Sequence, residues 1–259
     1  MVLSGKHVVV TGASSGIGQG IAEIMAQKGA AVVAAARGST KAQFTAPKII
    51  PAAADLRSPE HIDGLIDFAR QTMGSIDVFV ANAGFGYYGK TNADWASMED
   101  IFKLNVLSPI YSLTKLCAEF AKKPIYFVLM DSGAGRMPLP GYSLYCATKF
   151  ALDGFIRSFR FELPSNVRLS VVYPAGVDTA FYEKAAPDAP APRPVQALQR
   201  AAENIVKGIE EEKAEIYPSA AFPVLMLANR FFPFVEAVYH RYEKKRFGNW
   251  LRTHGNGRI

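Results

Sequence analysis

Seven short apolar runs punctuate the chain: "KHVVVT", "AAVVAAA", "KIIPAAA", "IDVFVAN", "PIYFVLM", "VRLSVVY" and the weaker "AEIYP". None alternates cleanly with polar residues, so each fits a strand covered on both faces. Between them the apolar positions take on helical spacing, over 17–28, 59–73, 93–121, 143–162 and 195–212. Strand and helix in regular succession predict an α/β fold, a parallel sheet with helices on both faces. The chain shows no repeat of solenoid period and no low-complexity block.

Two stretches interrupt the rhythm. The connection "GSTKAQFTAP" after Arg37 has room for a short helix at most. The run "YEKAAPDAPAPRP" after Phe181 is rich in proline and alanine, which favours an extended, mobile loop over a helix. Such a loop behind a buried strand is a candidate lid.

With 259 residues, 49% hydrophobic and 20% charged, the chain has enough apolar side chains for one sizeable core. Cys117 and Cys146 make no disulfide framework, which points to a reducing compartment, with the cytoplasm as default. The apolar run after Lys6 is too short for a secretory leader. The net charge of +6 is unevenly placed: from Arg230 onward seven basic residues face only Glu236 and Glu243, leaving +5 in the tail. The remainder is nearly neutral, which argues against nucleic-acid binding. The expected division is therefore a catalytic unit over 1–219 and a C-terminal extension over 220–259.

Gly12, Gly16 and Gly18 fall between the first strand and the first helix, in "VTGASSGIGQG". Gly12 permits a sharp turn, and bare backbone at Gly16 and Gly18 lets a pyrophosphate approach the positive end of a helix. The spacing is G-x-x-x-G-x-G, and no Gly-Lys-Ser/Thr ending follows, so triphosphate hydrolysis is not indicated. Turn chemistry alone would also explain three glycines; the strand before and the helix after point to a dinucleotide.

Tyr145 and Lys149 lie one helical turn apart and share a face. As an isolated pair they describe any solvated helix. A free phenol has a pKa near 10, too high for proton transfer at neutral pH, and a neighbouring ammonium would lower it. Ser132 follows the strand "PIYFVLM", at a strand end where ligands of open sheets bind, and its hydroxyl is placed either to hold a carbonyl oxygen or to form a turn. Tyr142 has Cys146 rather than a lysine four residues on, so it reads as pocket wall or core, and Cys146 as packing. The four histidines are scattered and no zinc-like cluster is present, so no metal is expected.

Taken together, "TGASSGIG" at 11–18, "DL" at Asp55 and Leu56, "NAG" at 82–84, "KLNV" around Asn105, Ser132, "YCATK" at 145–149 and "PAGVDT" at 174–179 resemble the short-chain dehydrogenase/reductase family in order and spacing. The resemblance covers roughly residues 6–217. It implies a Rossmann-type doubly wound parallel sheet of about seven strands. Tyr145 would be the acid in carbonyl reduction and the base in alcohol oxidation, Ser132 would orient the reacting oxygen, Lys149 would bind the nicotinamide ribose and depress the phenol pKa, and Asn105 would hold a water linking Lys149 to solvent. Gly12, Ser14, Ser15, Gly16, Ile17 and Gly18 would cradle the dinucleotide. Asp55 and Leu56 would touch the adenine, Asn82 would brace neighbouring strands beside Ala83 and Gly84, and Pro174, Gly176, Val177 and Thr179 would line the nicotinamide side. Assembly as a homodimer or homotetramer is also implied.

The end of the second strand, "VVAAARGST", carries no carboxylate to receive a ribose hydroxyl. Arg37, beside Ser39 and Thr40, fits a 2′-phosphate as a fork, which favours NADP(H); stacking on adenine or a solvated side chain is the plain alternative. Phe85, Tyr87, Tyr88, Leu139, Tyr142, Phe181 and Tyr182 are expected to ring an uncharged pocket, with Arg136 as the possible exception, for an apolar carbonyl or alcohol substrate that is lipid-, steroid- or aromatic-like. The tail "AAFPVLMLANRFFPFVEAVYHRYEKKRF" is apolar and aromatic, then basic. Pro223, Asn229, Arg230 and Pro233 break it, so no membrane span is expected, and three roles stay open: cover for the pocket, subunit contact, or peripheral attachment to a membrane. A nucleotide-binding sensor or scaffold without turnover is the competing function.

Overall fold

The computed structural model describes residues 1–38, 44–91, 94–120, 123–232 and 234–255. Ser39, Thr40, Ala93, Ala121, Pro233 and Arg258, which entered the expectations above, lie outside them.

The seven apolar runs form one parallel sheet: β1 (His7–Thr11), β2 (Ala31–Ala36), β3 (Ile49–Ala53), β4 (Val78–Ala81), β5 (Ile125–Met130), β6 (Val167–Val172) and the short β7 (Glu215–Ile216), in the order β3-β2-β1-β4-β5-β6-β7. The register runs from His7 opposite Ala31 on one side of β1 and from Val8 opposite Val78 on the other. Alternate residues serve opposite layers. Val9, Phe79, Phe127 and Leu129 pack under α2 (Pro59–Met73), α4 (Ser108–Glu119) and α5 (Ser143–Phe159), whereas Val8, Val10, Val80 and Val128 pack under α1 (Gly16–Gln27) and α7 (Leu198–Glu210). Two buried faces explain why the strands read as unbroken apolar runs.

Two expectations about helices are revised, and the tail adds two helices that no reading assigned. The single helix over 93–121 is two, α3 (Trp95–Phe102) and α4, joined by a π-helical turn, Lys103–Leu107. The stretch after Phe181 opens with a helix, α6 (Phe181–Ala185), and it is held in place: Trp250 Nε1 donates to the Pro187 carbonyl (3.0 Å) and Arg246 Nη1 to that of Ala191 (2.9 Å). The tail folds into α8 (Ala221–Phe231) and α9 (Phe234–His254). Phe222 of α8 and Trp250 of α9 are buried, Phe222 beside Gly133 and Trp250 edge-on against Tyr88, centroids 4.9 Å apart. Among the described residues no helix is long and apolar enough to cross a membrane.

Candidate active site

Strand order reverses between β1 and β4, and a crevice opens beyond their C-terminal ends. Thr11 and Asn82 stitch that opening together. The Thr11 hydroxyl donates to the Val80 carbonyl and accepts from the amides of Asn82 (2.9 Å) and Ala83 (3.0 Å), while Asn82 Nδ2 donates to the carbonyls of Thr11 (2.9 Å) and Gly12 (3.3 Å). A β-carbon on Gly18 would stand 2.3 Å from Asn82 Nδ2 and 2.5 Å from the Gly12 carbonyl oxygen, so only glycine fits between the brace and α1. Gly16, by contrast, meets only the Thr179 side chain at 3.6 Å and keeps its backbone open toward the crevice. A cradle of this form, at the start of a twelve-residue helix with no acidic residue in its first turn, suits a pyrophosphate.

Beyond β5 the chain turns through Asp131 and Ser132 into a short 3₁₀ turn. Ser132 caps it, its hydroxyl oxygen accepting from the Ala134 amide (3.1 Å), which leaves the hydroxyl proton to be donated. Tyr145 and Lys149 project from α5 toward the same spot. Burial pushes the Tyr145 phenol well above its ordinary range, and the hydrogen bond with Ser132 opposes that. Burial also pulls the Lys149 ammonium down, opposed by the charge of Asp131. Lys149 Nζ donates to the Met130 carbonyl (2.8 Å) and lies 5.7 Å from the centre of the Tyr145 ring. The expected depression of the phenol pKa by the ammonium is thus outweighed here: desolvation dominates, and the Ser132 hydroxyl is the principal counterweight.

Asn105 sits inside the π-helical turn, 1% exposed. Its Nδ2 donates to the Phe85 carbonyl (2.8 Å) and the Thr148 hydroxyl (3.1 Å), and its Oδ1 accepts from the Phe85 amide (3.0 Å). Its side chain therefore ties the segment after Gly84 to α5, with both Nδ2 protons given to protein partners. An extra residue per turn is what turns this position inward, a device that recurs at functional sites.

One cavity of about 240 Å³ joins these features. Gly12, Ser15, Gly16, Ile17, Gly18, Asn82, Ala83 and Gly84 line one end; Ser132, Tyr145 and Lys149 lie at its centre; Pro174, Gly176, Val177 and Thr179 form a side. Gly176 is a close-approach position: a β-carbon there would stand 2.0 Å from the Pro192 carbonyl oxygen, because the returning lid strand pairs with it, the Gln196 amide donating to Gly176 (2.8 Å). Ser14, Arg37, Asp55, Leu56 and Asn105 do not line this cavity. Asp55 accepts from Arg57 Nε (2.9 Å), which holds its carboxyl below the usual range, and Leu56 is in the core. Exposed Arg37 directly follows β2, close enough to Asp55 for its charge to act there.

The expected pocket ring is met by Phe85, Leu139, Tyr142, Phe181 and Tyr182. Tyr87 instead packs edge-on against Phe85, and Tyr88 packs against Tyr142, Phe247 and Trp250. Arg136 is not the pocket's charge: it binds Asp153 (2.8 Å), Glu215 (2.7 Å) and the Tyr173 hydroxyl (2.5 Å) away from the cavity. Charge reaches the rim through Lys184 and Arg193, and apolar wall through Met130, Met137, Phe222, Leu225 and Tyr239. Apart from Met130 at the end of β5 and Met137 after the 3₁₀ turn, sequence reasoning missed these because they come from the lid and the tail, where no spacing sets which side chain turns inward. Asp131 is the other unforeseen residue. It is 2% exposed, neither carboxylate oxygen finds a well-aligned hydrogen-bond partner, and burial pushes its pKa up to about 7 against the pull of Lys149. Among the described residues no cluster of metal-ligating side chains occurs.

A family model described as short chain dehydrogenase matches residues 6–190. The glycine betaine reductase ATRR of Emericella nidulans is 32% identical over 189 residues, 68% of this chain but only 15% of that much longer protein. The hydroxysteroid 11-beta-dehydrogenase 1-like protein of Gallus gallus is 34% identical over 175 residues, 64% of this chain and 61% of its own. Among solved structures, a short chain dehydrogenase/reductase from Burkholderia phymatum in complex with NAD superposes with a TM-score of 0.77 at 21% identity, covering 89% of this chain and 94% of the other. A short chain dehydrogenase from Burkholderia cenocepacia in complex with NADP gives 0.76 at 22% identity over the same shares. The sheet order, the glycine cradle braced by Asn82, and the match over residues 6–190 agree, and this chain belongs to the short-chain dehydrogenase family.

Proposed function

We propose that the chain is an NADP(H)-dependent oxidoreductase acting on an apolar ketone or the matching secondary alcohol. The observation that carries this reading is the convergence of Ser132, Tyr145 and Lys149 in one cavity whose far end is the glycine cradle. The cradle, with Gly16 open toward the crevice and Gly12 and Gly18 packed closely against the Asn82–Ala83 brace, fits a dinucleotide, and the nicotinamide when bound supplies or accepts the hydride.

The protein's own residues would do the rest. The Ser132 hydroxyl donates to the substrate oxygen and fixes it beside the phenol. Tyr145, kept neutral by burial, has a proton to give as negative charge grows on that oxygen. Lys149 places a positive charge behind the phenol, stabilising the phenolate that remains, and would meet the ribose of the cofactor. Asn105 fixes Phe85 and Thr148, and so the wall and the catalytic helix, in mutual register.

Preference for NADP(H) is supported by Arg37 at the end of β2, where Ala36 offers no carboxylate and Asp55 is already engaged by Arg57. An apolar substrate is supported by the wall of Phe85, Met137, Leu139, Phe181, Phe222 and Leu225. The name of the Gallus gallus relative points to the same class. The test is NADPH oxidation with a panel of apolar ketones, using the wild type and Tyr145→Phe. Turnover should fall by at least ~10³-fold with NADPH binding retained; equal rates in the two proteins would overturn the assignment.

A further inference from the structure

The two tail helices have opposite duties on opposite faces. Phe222, Leu225 and Tyr239 turn inward and close the cavity. Val224, Leu227 and Phe231 of α8 turn outward, and so do Phe234, Val238 and Tyr242 of α9, at helical spacing in both cases. Phe231 is 67% exposed, Phe234 65% and Val238 60%. Phe232 adds a further exposed ring, 5.9 Å from that of Phe234. Contiguous apolar surface of this kind calls for an occupant.

Charge identifies which. Arg230, Arg241, Lys244 and Lys245 are exposed on the same two helices. Their acidic neighbours are engaged internally: Glu236 accepts from Asn229 Nδ2 (2.7 Å), and Glu243 is buried against Arg246. The exposed side is thus apolar at the α8–α9 corner and cationic farther along α9. Lys245 lies eleven residues beyond Phe234, roughly 16 Å along the helix axis. A second copy docking by the same face would set these cations on the partner's apolar corner or on its cations, and it brings no free carboxylate of α8 or α9 to meet them. An anionic lipid surface satisfies both parts, the aromatic corner entering the acyl boundary and the cations meeting the headgroups.

We propose that α8 and α9 dock this protein peripherally on anionic membranes, with Phe231, Phe232 and Phe234 inserted and Arg241, Lys244 and Lys245 at the lipid phosphates. Docking sets the far side of the cavity wall on the bilayer. That an apolar substrate then enters from lipid rests on the function proposed above; the docking itself does not.

The experiment is co-sedimentation of the full chain, without substrate, with phosphatidylcholine vesicles and with mixed phosphatidylcholine–phosphatidylserine vesicles. The expected result is binding to the mixed vesicles only, weakened about tenfold or more by Lys244→Glu with Lys245→Glu and by Phe231→Ser with Phe234→Ser. A circular-dichroism spectrum and thermal melt of each variant, unchanged from wild type, show that it is folded. No binding to mixed vesicles, or equal binding to both kinds, overturns the proposal. So does a dimer in sedimentation velocity that Phe231→Ser with Phe234→Ser dissociates while vesicle binding is absent, since the face would then belong to a second copy.

Discussion

The ring of Phe181 lies against the ring of Tyr145, centroids 5.2 Å apart and planes tilted by 59°. One residue comes from the lid after β6 and the other from the catalytic helix, so the lid touches the phenol directly. Phe181 also reaches the backbone at Gly86, where a β-carbon would stand 3.0 Å from its ring. The lid therefore helps to keep the phenol out of water, and that burial is what holds its pKa high.

Phe181→Ala should uncouple these effects. Losing one aromatic contact is worth about 0.5–1.5 kcal/mol, so KM for an apolar ketone should rise by roughly two- to tenfold. Water reaching the phenol should lower its pKa, moving the alkaline limb of kcat/KM for ketone reduction to lower pH. A pH–rate series on wild type and variant checks both; an unmoved limb would show that Phe181 does not shield Tyr145.

Cofactor charge offers a second test. Arg37 stands exposed at the end of β2, while Lys184 reaches from α6 to donate to the Ser15 hydroxyl (3.3 Å) beside the glycine cradle. Arg37→Ala should weaken NADPH by about tenfold or more and leave NADH nearly unchanged, because only the former carries the 2′-phosphate. Lys184→Ala should weaken both nucleotides by a similar, smaller factor, since both carry the pyrophosphate. Nicotinamide fluorescence titrations measure all four constants, and equal losses for NADPH and NADH in Arg37→Ala would remove Arg37 as the phosphate reader.

The cradle was legible in the sequence because its glycines, its strand and its helix are local: Gly12 and Gly18 leave no room for a β-carbon, and Gly16 has a φ of +59°. The convergence of Ser132, Tyr145 and Lys149 on one cavity was legible for the same reason: Tyr145 and Lys149 share one helix face, and Ser132 follows a strand. The role of Asn105's side chain was not, since it depends on a π-helical turn that no hydrophobic period announces. Nor was the inward turn of Phe222, Leu225 and Tyr239: both faces of α8 are apolar and aromatic residues fall on several sides of α9, so the pattern does not say which one meets the cavity. Arg136 misled because a guanidinium near Ser132 in sequence is drawn across to Asp153 and Glu215 in space.

Two alanine substitutions should separate packing glycines from idle ones. Gly18→Ala drives a methyl group into Asn82 Nδ2 and the Gly12 carbonyl, so it should lower the melting temperature and abolish dinucleotide binding together. Gly154 lies inside α5 with open space where a β-carbon would go. Gly154→Ala should stabilise by about 0.5–1 kcal/mol through helix propensity and leave binding unchanged. Thermal melts with and without NADPH check the pair.

Asp131 gives the sharpest dependence on pH. Its ordinary pKa of 3.8 is pushed up to about 7 in the fold, mainly by burial, with Asp153 adding to the rise and Lys149 and Arg136 opposing it. Between those two values the native protein holds a proton that the unfolded chain has released. This group's contribution to stability is therefore greatest below about pH 4, declines as pH rises to about 7, and is at its lowest above that. Asp131→Asn has no such titration. The melting temperature of Asp131→Asn minus that of the wild type should accordingly climb from about pH 4 to about pH 7 and then level off. The same substitution withdraws a negative charge that raises the pKa values of both Lys149 and Tyr145, so the alkaline limb of the reductase profile should move to lower pH. Parallel melting curves at every pH, with superimposable rate profiles, would show that the carboxylate is solvated and plays no part in setting the charge of the catalytic pair.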